Sequence, residues 1–458
     1  MRSGASYIFV CVLQRRSLNF GIFIALTKKM HFTSQDIKSR REKVENRWNE
    51  LLNADECVLV YSGEPIQKPG GLDQTYPFIP HPAYYWLTGR RRESEVVCYS
   101  KNDGWVEFQK EVGEDEAVWE GERTDLLVDD KGKQIRELES FLSANKFSNV
   151  YKLGQSNSSI EGKAFEFRTA MDKVRRRKDA AEVRLIESLA RIAKAGYDRL
   201  EKVIKAGVSE KEIQIAFEQE IFLRGAHGVP YDSIVGSGAN SAILHALPTD
   251  KKVQENEFVL IDAGVAIYNY CVDITRVYPS SKLSDQHHSL YQLVAKAHKE
   301  CMAMSRPGVM WRDVHMHAAK VMTEGLVDFG VLKGGIDSLM EKEVISVFFP
   351  HGLGHLVGLH VRDTGQEENL KPKTYAGARL RVDIELEEDH LITVEPGCYF
   401  ISALLDSSKT RDKYREEINW AEVEKWKGIG GVRIEDNILI TADGNRNLTK
   451  DIPKSGWS

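Results

Sequence analysis

Five residues in the C-terminal half of this chain carry a recognisable chemistry: Asp262, Asp273, His355, Glu395 and Glu435. Each stands in a short segment whose neighbours read as a strand or a tight glycine turn, so five separated pieces of chain can aim their side chains at one point. Four carboxylates sharing a buried pocket cannot all ionise without cations, because neighbouring like charges oppose one another's ionisation. A pair of divalent metal ions would resolve that conflict, and such a pair activates water at neutral pH and polarises a carbonyl. One imidazole with four carboxylates is a hard, oxygen-rich donor set that suits Mn2+, with Co2+ and Zn2+ as alternatives.

The elements that must position these groups follow from their surroundings. Residues 258–278, FVLIDAGVAIYNYCVDITRVY, read as two β-rich runs joined by a short connection. A hairpin there places Asp262 and Asp273 on neighbouring strands, with Thr275 on the face of Asp273 because strand side chains repeat every two residues. In HGLGHLVGLH, Gly352, Gly354 and Gly358 argue against a helix. The residue after His351 is not Glu, so the segment is not the H-E-x-x-H helix of a zinc protease. Glu395 follows an apolar run and precedes Pro396 and Gly397, where a buried strand breaks into a turn and an unpaired carboxylate would be costly. In GGVRIEDNILI, Arg433 and Glu435 share one strand face, which fits either a metal ligand or a structural Arg–Glu pair.

At 458 residues, 29% charged and 42% hydrophobic, the chain has the composition of a soluble globular protein with two or three domains. A net charge of -5 gives no basic stripe for nucleic acid. The six cysteines are widely spaced without a C-x-x-C pair, which excludes a zinc ribbon or dense disulfide framework and fits a reducing, cytoplasmic setting. Residues 1–35 lack Asp and Glu, and the apolar runs at 7–13 and 20–26 fall short of the ~20 residues that span a bilayer. Three readings of this extension stay open: a segment upstream of a native start at Met30, a mitochondrial transit peptide over residues 1–29, and a secretory signal.

Beyond the extension, a smaller α/β domain is expected over residues 36–172 and the catalytic domain over 173–455. In the first, a helix is expected over 36–52, strands at 57–61, 96–99 and 105–108, and Tyr84, Tyr85 and Trp86 as a core strand running into a turn at Gly89. The basic run 175–178 reads as the solvated entry to an amphipathic helix carrying Leu185, Ile186, Leu189, Ile192 and Ala193. A second helix over 210–222 offers Ile213, Phe217 and Phe222 to the core.

In chain order, LIDAGV, VDITRVY, HGLGHLVGLH, TVEPGCYF and GGVRIED resemble the pita-bread metallopeptidases, the family of methionine aminopeptidase, aminopeptidase P, prolidase and creatinase. The likeness covers roughly residues 175–455, and the preceding part resembles the smaller domain of the aminopeptidase P and prolidase branch. It implies an α+β fold with a C-terminal pita-bread domain behind a smaller α/β domain. Within the family the run KLSDQHHSLYQLVAKAHKECMAMSRPGVMWRDVH, and EPGCYFISALLD leading through an insertion to WKGIGGVRIED, look most like prolidase. That likeness implies a homodimeric dipeptidase that hydrolyses Xaa-Pro dipeptides through a metal-bridging hydroxide and releases proline. The alternatives are aminopeptidase P-type removal of a residue before proline from longer peptides, and a non-catalytic binding module.

By the same resemblance, Asp273 and Glu435 bridge two metals, Asp262 completes one site and His355 with Glu395 the other. Glu395 also carries a proton toward the leaving proline nitrogen, and His351 is a second catalytic group. His245, in NSAILH, faces substrate; Arg381 grips the C-terminal carboxylate of a dipeptide, and Arg433 is a further substrate contact. Where prolidases commonly read D-V-H-D, this chain reads His360, Val361, Arg362, Asp363. Arg362 cannot shuttle a proton at neutral pH, so it is expected to bind a carboxylate or an oxyanion instead.

Overall fold

The computed structural model describes residues 32–111, 113–120, 132–154, 161–365 and 373–454. Cys11, the targeting readings of residues 1–29 and the expected last catalytic-domain residue, 455, lie outside the described residues.

The first unit is a five-stranded sheet in the spatial order Lys133–Gln134, Gly104–Gln109, Val96–Ser100, Glu56–Tyr61, Asn149–Leu153. Glu56–Tyr61 pairs antiparallel with Val96–Ser100 and parallel with Asn149–Leu153. Its side chains alternate between two cores, as a period of two requires. Cys57 and Leu59 pack with Cys98 and Phe108, while Val58 and Val60 join the larger core that holds Val44 and Trp48 of the helix Ser34–Trp48. That helix starts on a reciprocal cap between Thr33 and Asp36.

Tyr84, Tyr85 and Trp86 are buried as expected, but they lie on the helix Pro82–Thr88 rather than on a strand. Local signals explain the difference. Pro82 opens the helix, His81 accepts from the Ala83 backbone N–H, and Gly89 ends it at φ 68. Burial on every side removes the periodicity that would separate helix from strand.

The basic run 175–178 is likewise not a solvated entry. Arg175 and Lys178 are buried and both bind Asp363, at 2.7 and 3.0 Å. The helix that follows, Ala180–Leu200, buries Leu185, Ile186, Leu189, Ile192 and Ala193. In Glu210–Leu223 the buried stripe is Ile213, Phe217 and Ile221, four residues apart. Phe222 falls off that stripe and is 49% exposed, against expectation.

The catalytic half is built on two three-stranded antiparallel sheets. One runs Thr275–Pro279, Phe258–Asp262, Ile234–Ser237; the other Leu391–Val394, Asp436–Thr441, Gly444–Asn447. A single backbone pairing between Thr275 and Glu435 joins them. The antiparallel helices Asp285–Met304 and Trp311–Asp328 bury Leu290, Val294, Ala297, Val314, Ala318 and Met322 in the core beneath. After the short helix Ser402–Leu405, the insertion between Asp406 and Trp426 folds as two further short helices, Ser408–Lys413 and Trp420–Trp426. No helix among the described residues is long and apolar enough to cross a membrane.

Candidate active site

Residues 258–278 form four strands rather than two. Phe258–Asp262 and Thr275–Pro279 pair with each other, and Val265–Ile267 with Tyr270–Val272 make a second hairpin between them. Tyr268 and Asn269 turn that hairpin at φ 49 and 68. Asp262 ends its strand directly opposite Thr275, and Thr275 pairs on its other side with Glu435. Opposed residues share a sheet face, so Asp262, Thr275 and Glu435 form a row. Asp273 is not on a strand as expected; it stands in the break between Tyr270–Val272 and Thr275–Pro279. The Asn437 side chain fills that break. Its Oδ1 accepts from the Asp273 backbone N–H at 3.1 Å and its Nδ2 donates to the Asp273 carbonyl at 2.5 Å.

The second sheet delivers the rest. Val394 pairs with Asp436, so Glu395 and Glu435 stand one step beyond the last rung. His355 is held beside them because its backbone N–H donates to Thr393 Oγ1 at 3.1 Å and its carbonyl accepts from the Thr393 N–H at 2.9 Å. Gly354 packs so tightly against the Thr393 carbonyl that a Cβ would sit 2.1 Å from it, which is why the loop needs glycine there. All five expected ligands line one cavity of about 410 Å³, together with His245, His351, Arg362, Arg381 and Arg433. A larger groove of about 1050 Å³, between Lys43 and Arg47 on one side and Glu387 and His390 on the other, contains none of the five.

Asp273, His355 and Glu435 are the tightest cluster, each offering a ligand atom within 4.8 Å of the others. Three observations show that this donor set fits a cation. His355 Nδ1 faces the Leu356 carbonyl at 3.2 Å, which places the proton there and turns the Nε2 lone pair toward Asp273 Oδ2 (3.4 Å) and Glu395 Oε1 (3.7 Å). Glu435 Oε2 accepts from Thr275 Oγ1 at 2.8 Å, but Oε1 is buried without a partner. The single phenolic proton of Tyr231 faces two carboxylates, Asp262 Oδ1 at 2.6 Å and Asp273 Oδ1 at 2.5 Å. Burial, reinforced by Asp273, Glu395 and Asp262, pushes the Glu435 carboxyl well above its ordinary range, and burial with Asp273 raises Asp262 despite Arg433. Positive charge placed among these oxygens removes all of these penalties.

Arg433 and His351 have clear partners among the described residues. Arg433 does not pair with Glu435; Nη2 donates to Asp262 Oδ2 at 2.6 Å, Nε to Thr275 Oγ1 at 3.1 Å and Nη1 to Tyr399 Oη at 3.0 Å. His351 uses both ring nitrogens, Nδ1 toward the Gly352 carbonyl at 2.9 Å and Nε2 toward Tyr399 Oη at 2.8 Å. Burial, aided by Arg433, pushes its pKa down to about 3, so the ring is neutral. His245 is exposed at the cavity wall, and burial of its ring with the fields of Arg362, Arg381 and Arg433 lowers its pKa. Tyr231, Tyr399 and Asn437 escape a reading of the sequence because their partners lie 31 to 164 residues away with no spacing signal.

Comparison with known proteins agrees with this geometry. Metallopeptidase family M24 matches residues 184–442, and the aminopeptidase P N-terminal domain matches residues 37–155. A probable Xaa-Pro aminopeptidase of Fusarium vanettenii is 32% identical over 433 residues, covering 90% of this chain and 93% of its own. One from Aspergillus terreus is 34% identical over 403 residues, covering 82% of this chain and 86% of its own. Among solved structures, Escherichia coli aminopeptidase P with the inhibitor Pro-Leu superposes at TM-score 0.76 with 24% identity, over 93% of this chain and 97% of that one. Pseudomonas aeruginosa aminopeptidase PepP gives 0.75 and 23%, over the same shares. These likenesses fix the architecture as an aminopeptidase P N-terminal domain followed by a pita-bread domain. The chain belongs to metallopeptidase family M24.

Proposed function

We propose that this metallopeptidase is an Xaa-Pro aminopeptidase, removing the N-terminal residue that precedes proline in a peptide. The observation that carries the reading is the joint one: relatives named as Xaa-Pro aminopeptidases match across both domains, and all five ligand positions are filled and converge on one cavity. The dipeptidase expectation gives way to its aminopeptidase alternative, because the relatives named above are aminopeptidases. The filled ligand set argues against a non-catalytic binding module.

Asp262, Asp273, His355, Glu395 and Glu435 would hold two divalent ions, with Mn2+ favoured by the oxygen-rich set. The chemistry the ions supply when bound is Lewis acidity, which lowers the pKa of a nucleophilic water and polarises the scissile carbonyl. The chain's own groups do the rest. Arg433 and Tyr231 hold Asp262 and Asp273 in place. Glu395, one step beyond the last rung of the second sheet and 3.7 Å from His355 Nε2, would carry a proton to the leaving proline nitrogen. Neutral His245 offers an N–H to the oxygen on which charge develops. His351, with both nitrogens engaged, fixes the Tyr399 hydroxyl and is assigned a positioning role in place of the expected catalytic one.

Release of alanine from Ala-Pro and from Ala-Pro-Ala-Ala-Ala by Mn2+-loaded protein tests the assignment. Faster turnover of the longer peptide is expected. Hydrolysis of the dipeptide alone would return the protein to the dipeptidase reading.

A further inference from the structure

The groove between the two domains holds a buried hydrogen-bond donor with nothing to receive it. His390, only 2% exposed, lines this groove of about 1050 Å³. The Glu387 backbone N–H donates to its Nδ1 at 3.2 Å, and burial with the fields of Lys178, Arg176 and Arg177 pushes its pKa down to about 3. The ring is therefore neutral and carries its one proton on Nε2. That N–H has no acceptor among the described residues, and the charges felt at the ring are all positive. A buried donor without an acceptor is costly, and the acceptor that a cationic field favours is an anion.

The cations come from both sides of the domain boundary. Lys43 and Arg47 stand one turn apart on Ser34–Trp48, and Lys173 lies on the helix Lys163–Arg176; all three are exposed and line the groove. The two helices are fastened side by side where Trp48 Nε1 donates to the Phe167 carbonyl at 2.9 Å. None of these three cations has a hydrogen-bond or ion-pair partner among the described residues. Like charges four residues apart on a helix repel, so Lys43 and Arg47 are held at a cost that a bound anion would remove. From the interdomain run, Arg177 has a side chain 49% exposed and only loosely paired, 3.6 Å from Asp389 and 3.9 Å from Glu388. Exposed lysines and arginines by themselves are solvated surface; the buried N–H among them marks a site.

Charge and size narrow the ligand. Six lysine and arginine side chains line the groove against four carboxylates, a formal excess of two positive charges on a chain whose net charge is -5. A phosphomonoester carries about −1.5 to −2 charge at pH 7, which matches that excess better than a single carboxylate does. At about 1050 Å³ the groove is at the upper end of ligand pockets and far larger than phosphate alone requires. Leu51, Phe165 and Val174, each partly buried, line the same space and offer an apolar wall.

We infer that the groove bounded by Ser34–Trp48, Lys163–Arg176 and the 387–390 loop binds a phosphomonoester, its phosphate accepting from His390 Nε2–H among the surrounding cations and its organic portion lying against the apolar wall. The site spans both domains, and its loop runs directly into Leu391–Val394 and Glu395. A ligand there braces the strand that leads to a candidate metal-binding carboxylate. The inference stands apart from the peptidase reading, because none of the five expected metal ligands lines the groove.

Calorimetric titration of the Mn2+-loaded protein with AMP, adenosine and inorganic phosphate at ~0.15 M salt tests the site. AMP is expected to bind one to one with Kd below ~1 mM, inorganic phosphate more weakly, and adenosine not measurably. Joint reversal of the exposed cations, Lys43→Glu, Arg47→Glu and Lys173→Glu, should weaken AMP by about tenfold or more. Arg415→Glu, which changes an exposed cation outside the groove, should leave AMP within about twofold of wild type. His390→Phe keeps a ring but removes the N–H and should cost about tenfold, as loss of a hydrogen bond to a charged group does. Should that variant fail to fold, the triple reversal, which touches only exposed side chains, decides alone. Adenosine binding as tightly as AMP overturns the site, and so does AMP binding undiminished in the triple variant, which would place the anion elsewhere, the metal centre included. Binding at ~0.02 M salt that vanishes at ~0.15 M reduces the groove to a nonspecific cationic surface and overturns it as well. Equal affinity for AMP and inorganic phosphate would uphold the phosphate contact and overturn the apolar wall.

Discussion

The amide of Asn437 is the residue whose removal tests most sharply how the fold builds the site. Asp273 stands where the ladder between two hairpins is interrupted, so its backbone N–H and C=O have no strand partner there. Asn437 supplies both missing partners from a different sheet, at 3.1 and 2.5 Å, and is itself fully buried. Asn437→Leu keeps the volume but leaves two buried backbone groups unsatisfied, at ~1–3 kcal/mol each, or about 4 kcal/mol in all. For a catalytic domain spanning 173–455 that lowers Tm by roughly 7 °C, from an unfolding entropy of ~2.1 cal/mol/K per residue. A loosened Asp273 should also weaken divalent binding by ~10–100-fold, the usual cost of losing a group that orients a ligand. Differential scanning calorimetry in chelator gives the first number, and Mn2+ titration by calorimetry gives the second. Asn437→Asp should behave similarly, since it replaces the donor facing the Asp273 carbonyl with an acceptor. If Asn437→Leu loses stability but binds Mn2+ within twofold of wild type, Asn437 is ordinary core and the positioning argument is refuted.

Removing the divalent ions should lower thermal stability. At a hundredfold excess over Kd, binding adds ~2.7 kcal/mol, and a chelator that left Tm unmoved would contradict a site assembled from like charges. Asp363→Asn should cost ~3–5 kcal/mol in urea denaturation, because Lys178 would remain buried without a counter-ion and Arg175 would keep only Asp172, at 3.3 Å; a loss below ~1 kcal/mol would show that the clamp is not needed. Burial holds His298 and His390 at about 3 and His315 at about 4, the cationic run beside His390 adding to its shift. These values lie below the unfolded pKa of about 6.5, so the unfolded chain takes up protons that the folded one refuses. Stability should therefore be intact above pH 6.5 and fall below it, by ~1.4 kcal/mol per pH unit for each histidine. A flat unfolding free energy between pH 6.5 and 5 would show that these rings protonate in place.

What could be read from the chain, and what could not, divides along a physical line. The ligands Asp262, His355, Glu395 and Glu435 announce themselves because a carboxylate or imidazole beside buried apolar strands and glycine turns is costly unless something pairs with it. That logic needs only local sequence. It fails where the partner is distant. The run at 175–178 has the composition of a solvated helix entry, and only the fold shows that Arg175 and Lys178 are buried on Asp363, 188 and 185 residues away. Tyr84, Tyr85 and Trp86 fail for a second reason. When every face of an element is buried, neither the period of two nor that of 3.6 survives, and the caps at His81 and Gly89 decide instead. Arg433 shows a third. Its register was legible, but its partner was settled by which carboxylate lay across the sheet junction, and that was Asp262 rather than its near neighbour Glu435. The candidate metal- and substrate-binding side chains are thus set out in short motifs, whereas the groups bonded to them or to their loops, Tyr231, Tyr399, Asn437 and Asp363, are distributed wherever the two sheets and the interdomain segment meet. Arg362 is a local departure from D-V-H-D, and the residue after it, Asp363, is held by Arg175 and Lys178, nearly two hundred positions upstream.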